Sequence, residues 1–172
     1  MTPAYSLAID VSNYTGNLTP GQIMAWKEAG IKRVIVRASI ESEIKKAIAR
    51  QQCEMVAQVG LELHVYGWPY LYEPLAVQIK AHCDLVYGLP VKRYWLDLED
   101  NAVIWDATQM VAKIREAVEA ATLPVGLYTT AFWWQRWTGN SAEFASLPLY
   151  YAHYDGDPTF ADYVPFGGWV EP

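Results

Sequence analysis

Short β-type runs alternate with longer helical ones along most of this chain, and that rhythm restricts its fold more than any other feature. SLAIDV is followed by PGQIMAWKEAG, RVIVRAS by ESEIKKAIARQQCEMVAQVG, ELHVYGW by EPLAVQIKAHCDLVYG, and RYWLDLED by DATQMVAKIREAVEAA, after which comes PVGLYTT. Apolar residues recur at every second position in the first kind of run and at helical spacing in the second. A βαβα order of this kind predicts an α/β fold with a parallel sheet. Thr19 before Pro20 reads as an N-cap with proline at the first helical position, and Gly30 and Gly60 follow helices where a left-handed residue is wanted. After Tyr128 the rhythm gives way to an aromatic-rich loop holding Trp133 and Trp134, a strand LPLYYAHY, and a last apolar piece, GGWV. That makes about seven strand candidates by these signals.

Alternation alone fits an open doubly wound sheet or a closed β/α barrel, and strand parity favours the barrel. Successive side chains of a strand point to opposite faces. Ala8, Asp10 and Ser12 therefore oppose Leu7, Ile9 and Val11, and Trp95, Asp97 and Glu99 oppose Tyr94, Leu96 and Leu98. Gly126 and Tyr128 oppose Val125 and Leu127; Tyr150, Ala152 and Tyr154 oppose Leu149, Tyr151 and His153. An inward face bearing carboxylates toward strand ends, with an aliphatic face toward helices, suits a barrel enzyme. No glycine-rich phosphate loop follows the first strand, where a dinucleotide-binding sheet would want one. The chain has 172 residues, whereas complete eight-unit barrels usually need at least about 200. A reduced barrel forming a single domain over residues 1–172 is the consistent expectation.

Composition excludes several partners. The net charge of −6, with 13 basic and 19 acidic residues and no lysine or arginine stripe, argues against nucleic acid. No window approaches the roughly 20 apolar residues of a membrane span, and the N-terminus carries no visible export signal. Cys53 and Cys83 lack metal-ligand spacing and read as two buried thiols, with a bridge between them left open. His64, His82 and His153 are scattered. Eight tryptophans and twelve tyrosines supply flat amphipathic surfaces on which sugar rings can rest, although aromatics also fill cores.

The sharpest chemical feature is Asp97-Leu98-Glu99 at the end of the strand YWLDL. Acids at i and i+2 face the same way, and their mutual repulsion holds a proton on one of them to higher pH. A proton-holding acid beside an ionised carboxylate is the apparatus of glycoside cleavage. Asp10, at the corresponding end of the first strand, adds a third carboxylate. The competing reading, strand termination or helix capping, suits Asp100 and Asp106 better. Metal binding is a weaker use of the same acids, since nothing nearby has ligand-like spacing.

On these residues the chain resembles the family 25 glycoside hydrolases, muramidases with a compact barrel of five β/α units and three further strands. AIDVSNYTG is similar to the family's opening strand with its acidic residue, RVIVRAS to its second, and HVYGWPY stands in the place of its aromatic third strand. YWLDLED is similar to the catalytic DxE strand and GLYTTAFWW to the strand and aromatic loop after it. LYYAHYDGDP is similar to the W-x-A-x-Y strand, with Tyr150 in place of the tryptophan, and PFGGW to the segment before the last strands.

The resemblance implies an irregular TIM-like barrel of about five β/α units plus extra strands. It implies Glu99 as the general acid. Asp97 becomes the group that orients the substrate's N-acetyl arm or stabilises an oxazolinium-like intermediate, with direct nucleophilic attack as the rival description, and Asp10 assists electrostatically. Tyr66, Trp68, Tyr128 and Tyr154 are candidates to line the groove, and each could equally be barrel filling. Trp133 and Trp134 are expected at the rim. The implied substrate is peptidoglycan, cut at the β-1,4 bond between N-acetylmuramic acid and N-acetylglucosamine outside the cell or at a wall, by a secreted or phage-borne protein. No metal or organic cofactor is implied. Family members usually continue past GGW into a final strand carrying a further acid, whereas this sequence stops at Pro172. The expectation is a barrel lacking its last strand, completed by an additional domain or chain, or else a catalytically weak wall-binding or structural domain.

Overall fold

The computed structural model describes residues 7–101, 104–154, 156 and 159–171. Ser6, Asp155, Asp157, Pro158 and Pro172 of the segments quoted above lie outside the described residues. Among the described residues there are six strands: β1 (Ala8–Val11), β2 (Arg33–Arg37), β3 (Glu62–Gly67), β4 (Val91–Leu98), β5 (Val125–Thr129) and β6 (Leu149–Tyr151). Between them lie α1 (Pro20–Glu28), α2 (Glu43–Val59), α3 (Leu75–Leu85), α4 (Ala107–Ala120) and α5 (Ala131–Thr138). The strands form one sheet in the order β1-β2-β3-β4-β5-β6, and β1–β2, β2–β3 and β5–β6 pair in parallel. Each strand sits beside its sequence neighbours, as in a β/α barrel; a doubly wound sheet reverses its order at a switch point. The fold is α/β, of the incomplete β/α barrel type.

The described residues within 1–67 and 81–94 form one compact unit, and those within 68–80 and 95–172 a second. The register of the first unit sorts its strands into two faces. Ala8, Arg33 and Glu62 form one row, and Asp10, Ile35 and His64 the next, on a largely polar face. Val11, Val36 and Val65 form a row on the other, with Val34 and Leu63 beside it, all buried. Helix α2 packs on β2 and β3. It starts at Ser42, whose hydroxyl accepts the Lys45 N–H, and ends at Gly60 with φ 79°. Thr19 and Gln22 form a reciprocal capping box at the start of α1. Cys53 and Cys83 are buried free thiols.

Two expectations for the second unit need correction. Residues 131–138 form helix α5, not an aromatic loop: the Thr130 hydroxyl accepts the Trp133 N–H, and Gly139 closes the helix in the left-handed conformation. Trp133 and Trp134 are consequently buried core rather than rim. The GGWV piece is not a strand. Gly167 and Gly168 both take positive φ, 55° and 83°, and make a tight turn across which the Trp169 N–H reaches the Phe166 carbonyl at 2.9 Å. Two successive positive-φ positions are cheap only for glycine. The turn inserts Trp169 beside Trp134, ring centroids 5.0 Å apart, with Phe144 and Phe166 completing the aromatic core.

Candidate active site

Strand β4 ends at Leu98, with Asp97 its last residue but one and Glu99 following it. Asp97 is buried, 6% exposed, whereas Glu99 is exposed. The backbone on either side of Glu99 is pinned. The Thr129 hydroxyl donates to the Leu98 carbonyl at 2.9 Å, and the Trp133 indole N–H donates to the Asp100 carbonyl at 2.7 Å. Sequence reading missed both Thr129 and Trp133 as supports of this segment. The available signal was Thr130, a capping residue that starts α5 and aims Trp133 inward.

Partial desolvation, and then the like charge of Asp100, hold the Glu99 carboxyl above its usual range. Both effects penalise the charged form. Tyr128 is held well above the ordinary phenol range, chiefly by burial, then by its hydrogen bond with Tyr154, then by the charge of Glu99 and, more weakly, of Asp97. Its hydroxyl stays protonated beside the two acids. The Tyr128 and Tyr154 hydroxyl oxygens lie 2.6 Å apart.

The rings beneath follow strand parity. Tyr150 meets Trp95 edge-on at 5.5 Å and Tyr128 at 5.0 Å. Gly126 makes this packing feasible, because a Cβ there would run into the Trp95 ring. Asp97, Glu99, Tyr128 and Tyr154 therefore belong to one electrostatic cluster in the second unit.

Asp10 and Tyr66 belong to the first unit. Asp10 is exposed, in register with Ile35, and Tyr66 pairs with Arg37 on the same polar face. His64 on that face bonds the Glu62 carboxylate at 2.8 Å, and burial followed by the Arg33 charge pulls its pKa down to about 4. Trp68, the first residue of the second unit, is partly exposed. No group of three or more His, Cys, Asp and Glu side chains suited to a metal ion occurs among the described residues. No helix among them is long and apolar enough to cross a membrane. Asp106, read as a cap, is one: its carboxylate accepts the Gln109 N–H at 2.9 Å.

A family model described as "Lys-1: Lysozyme-like protein 1" matches residues 1–172. Among curated proteins, "Probable GH family 25 lysozyme 2" of Dictyostelium discoideum is 35% identical over 80 residues, covering 46% of this chain and 35% of that protein. "Lysozyme-like protein 5" of Caenorhabditis elegans is 31% identical over 159 residues, covering 85% of this chain and 73% of the relative. The match thus spans about a third of the first relative and most of the second. Among solved structures, a family GH25 lysozyme from Aspergillus fumigatus superposes with a TM-score of 0.74 at 22% identity, covering 96% of this chain and 82% of that one. At that identity the likeness establishes the fold.

Proposed function

Because this chain belongs to the family 25 glycoside hydrolases, the lysozyme-like proteins, we propose that it is a peptidoglycan hydrolase, an N-acetylmuramidase with Glu99 as its general acid. The observation that carries the reading is the contrast at the end of β4: a carboxyl held above its usual range two residues from a buried acid, next to a tyrosine that stays protonated. A raised carboxyl keeps its proton to higher pH than a free one does, and so has a proton to give to a leaving oxygen.

In this mechanism Glu99 delivers its proton to the glycosidic oxygen as the C1–O bond breaks. The positive charge left on the sugar is stabilised by Asp97, acting directly or by orienting the substrate's own N-acetyl oxygen toward C1. Water then adds to C1 and returns a proton to Glu99. Tyr128 donates from its hydroxyl and, with Tyr154, lines the groove; Tyr66 and Trp68 are proposed as further lining residues, and Asp10 as a further negative charge. Residues 1–172 act as one catalytic domain, on wall material outside the cell that makes it. Mass analysis of products from a defined muropeptide polymer tests the reading. Wild type should release ends in reducing N-acetylmuramic acid, and Glu99→Gln should lower kcat by about 10²- to 10⁴-fold. An unchanged rate in that variant removes Glu99 as the acid. Wall binding without new reducing ends would make the chain a binding module.

A further inference from the structure

Residues 68–72, Trp-Pro-Tyr-Leu-Tyr, leave the carboxyl end of β3 and run into a turn at Leu71 and Tyr72, alternating exposed rings with buried residues. Trp68, Tyr70 and Tyr72 are each exposed by 42–48%, whereas Pro69 and Leu71 between them are buried. Burying a large aromatic ring is normally favourable by a few kcal/mol, so three rings kept outward on one side of a short run need a reason. Leu71, fully buried, anchors the run from beneath.

The run is also clamped. Gln78 of α3, 8% exposed, spends both ends of its amide on the backbone of a single residue: its Oε1 accepts the Tyr70 N–H at 2.8 Å and its Nε2 donates to the Tyr70 carbonyl at 3.1 Å. The Glu73 N–H adds a second bond to that carbonyl at 3.1 Å. A buried side-chain amide used to fix an exposed tyrosine is a pedestal, because it lowers the ordering cost of whatever settles on the ring. The Tyr70 and Tyr72 rings stand 5.6 Å apart, tilted by 32°, a spacing suited to neighbouring units of a linear chain.

We propose that Tyr70 and Tyr72 extend the glycan groove beyond Trp68, as a stacking platform for further pyranose rings of a β-1,4-linked N-acetylhexosamine strand. The occupant is identified by its chemistry. Pyranoses present flat C–H faces to aromatic rings and hydroxyls to a phenol's tip. It continues directly from Trp68, so this inference rests on the muramidase reading for its direction but not for its measurement.

The test measures binding in Glu99→Gln, where turnover does not intervene, using chitooligosaccharides of two to eight units and intact peptidoglycan sacculi. Affinity should rise with chain length, and Tyr70→Ala with Tyr72→Ala should remove roughly tenfold of that rise. Tyr70→Phe, which keeps the ring, should retain it. Gln78→Leu, which frees the pedestal, should weaken long chains more than short ones. Equal losses for short and long chains, or no loss in the double variant, overturn the platform. So does a concentration-dependent dimer abolished by the same substitutions, which assigns the rings to a second copy of the chain. Length-dependent binding that needs both tyrosines, in a protein that releases no reducing ends, leaves the platform standing and removes the hydrolase.

Discussion

The strands of the two compact units are packed by different chemistry. In the first, β2 and β3 bury Val34, Val36, Leu63 and Val65, side chains without a polar atom. In the second, the packing is aromatic, and four of its rings use a polar tip to bond a backbone carbonyl. Trp133 donates to the Asp100 carbonyl, Trp134 to the Ser141 carbonyl at 2.9 Å, Trp169 to the Leu147 carbonyl at 2.8 Å, and Tyr163 to the Trp169 carbonyl at 3.1 Å. Aliphatic packing holds elements together but leaves loops to themselves. Aromatic packing with satisfied tips reaches out of the core and fixes a named carbonyl in a loop. The second unit is also where Asp97 and Glu99 sit, so the segment carrying the acids is positioned by the core itself.

The largest effect that would break this comparison is a cavity in the aromatic core. Trp134 is fully buried against Trp133, Phe144 and Trp169, and Trp134→Ala should cost about 3–5 kcal/mol in urea unfolding. A loss under about 1 kcal/mol would mean that the rings are loosely packed and position nothing.

The first unit should instead be sensitive to acid. His82 bonds the Tyr94 hydroxyl at 2.9 Å, and burial, followed by the Arg37 charge, pulls its pKa down to about 4. The unfolded imidazole binds its proton near 6.5, so between about 6.5 and 4 the unfolded state holds more protons than the folded one. Stability is therefore full at neutral pH and falls as the pH drops through that window, by about 2 kcal/mol from this residue between pH 7 and pH 5. In His82→Gln the acid-induced loss should shrink by that amount. An identical loss in wild type and variant would place the sensitivity elsewhere.

The smallest effect concerns the acid itself. Asp100 contributes the lesser of the two influences that raise Glu99, so Asp100→Asn should lower the Glu99 pKa. The alkaline limb of kcat/KM then moves to lower pH. A limb that stays in place, or moves upward, assigns it to another group.

The order of strands and helices was legible because period-two and helical spacings differ sharply, and the caps at Thr19, Gly30 and Gly60 mark their boundaries chemically. Parity likewise placed Trp95, Gly126, Tyr128 and Tyr150 on a common side. Helix α5 was not legible: AFWWQRWT has few strong helix formers, and its helicity comes from a cap and from burying indoles, which are tertiary matters. The turn at Gly167 and Gly168 was misread because an apolar stretch resembles a short strand, though paired glycines are themselves a turn signal. The clamp of Gln78 on Tyr70 lay beyond any local pattern. It joins residues eight positions apart through a side chain whose burial depends on the finished fold.

The indoles of the aromatic core also give this protein a built-in optical reporter. Trp133 and Trp134 lie 6.5 Å apart at 44°, and Trp134 and Trp169 5.0 Å apart at 68°, so three chromophores are held close together at fixed, non-parallel angles. Such an arrangement has a near-ultraviolet circular dichroism that exists only while the rings keep their mutual orientation. The first unit carries a single indole, Trp26 of α1, against seven in the second. Loosening of the core that positions Asp97 and Glu99 can thus be followed in the near ultraviolet, apart from the far-ultraviolet signal of the helices.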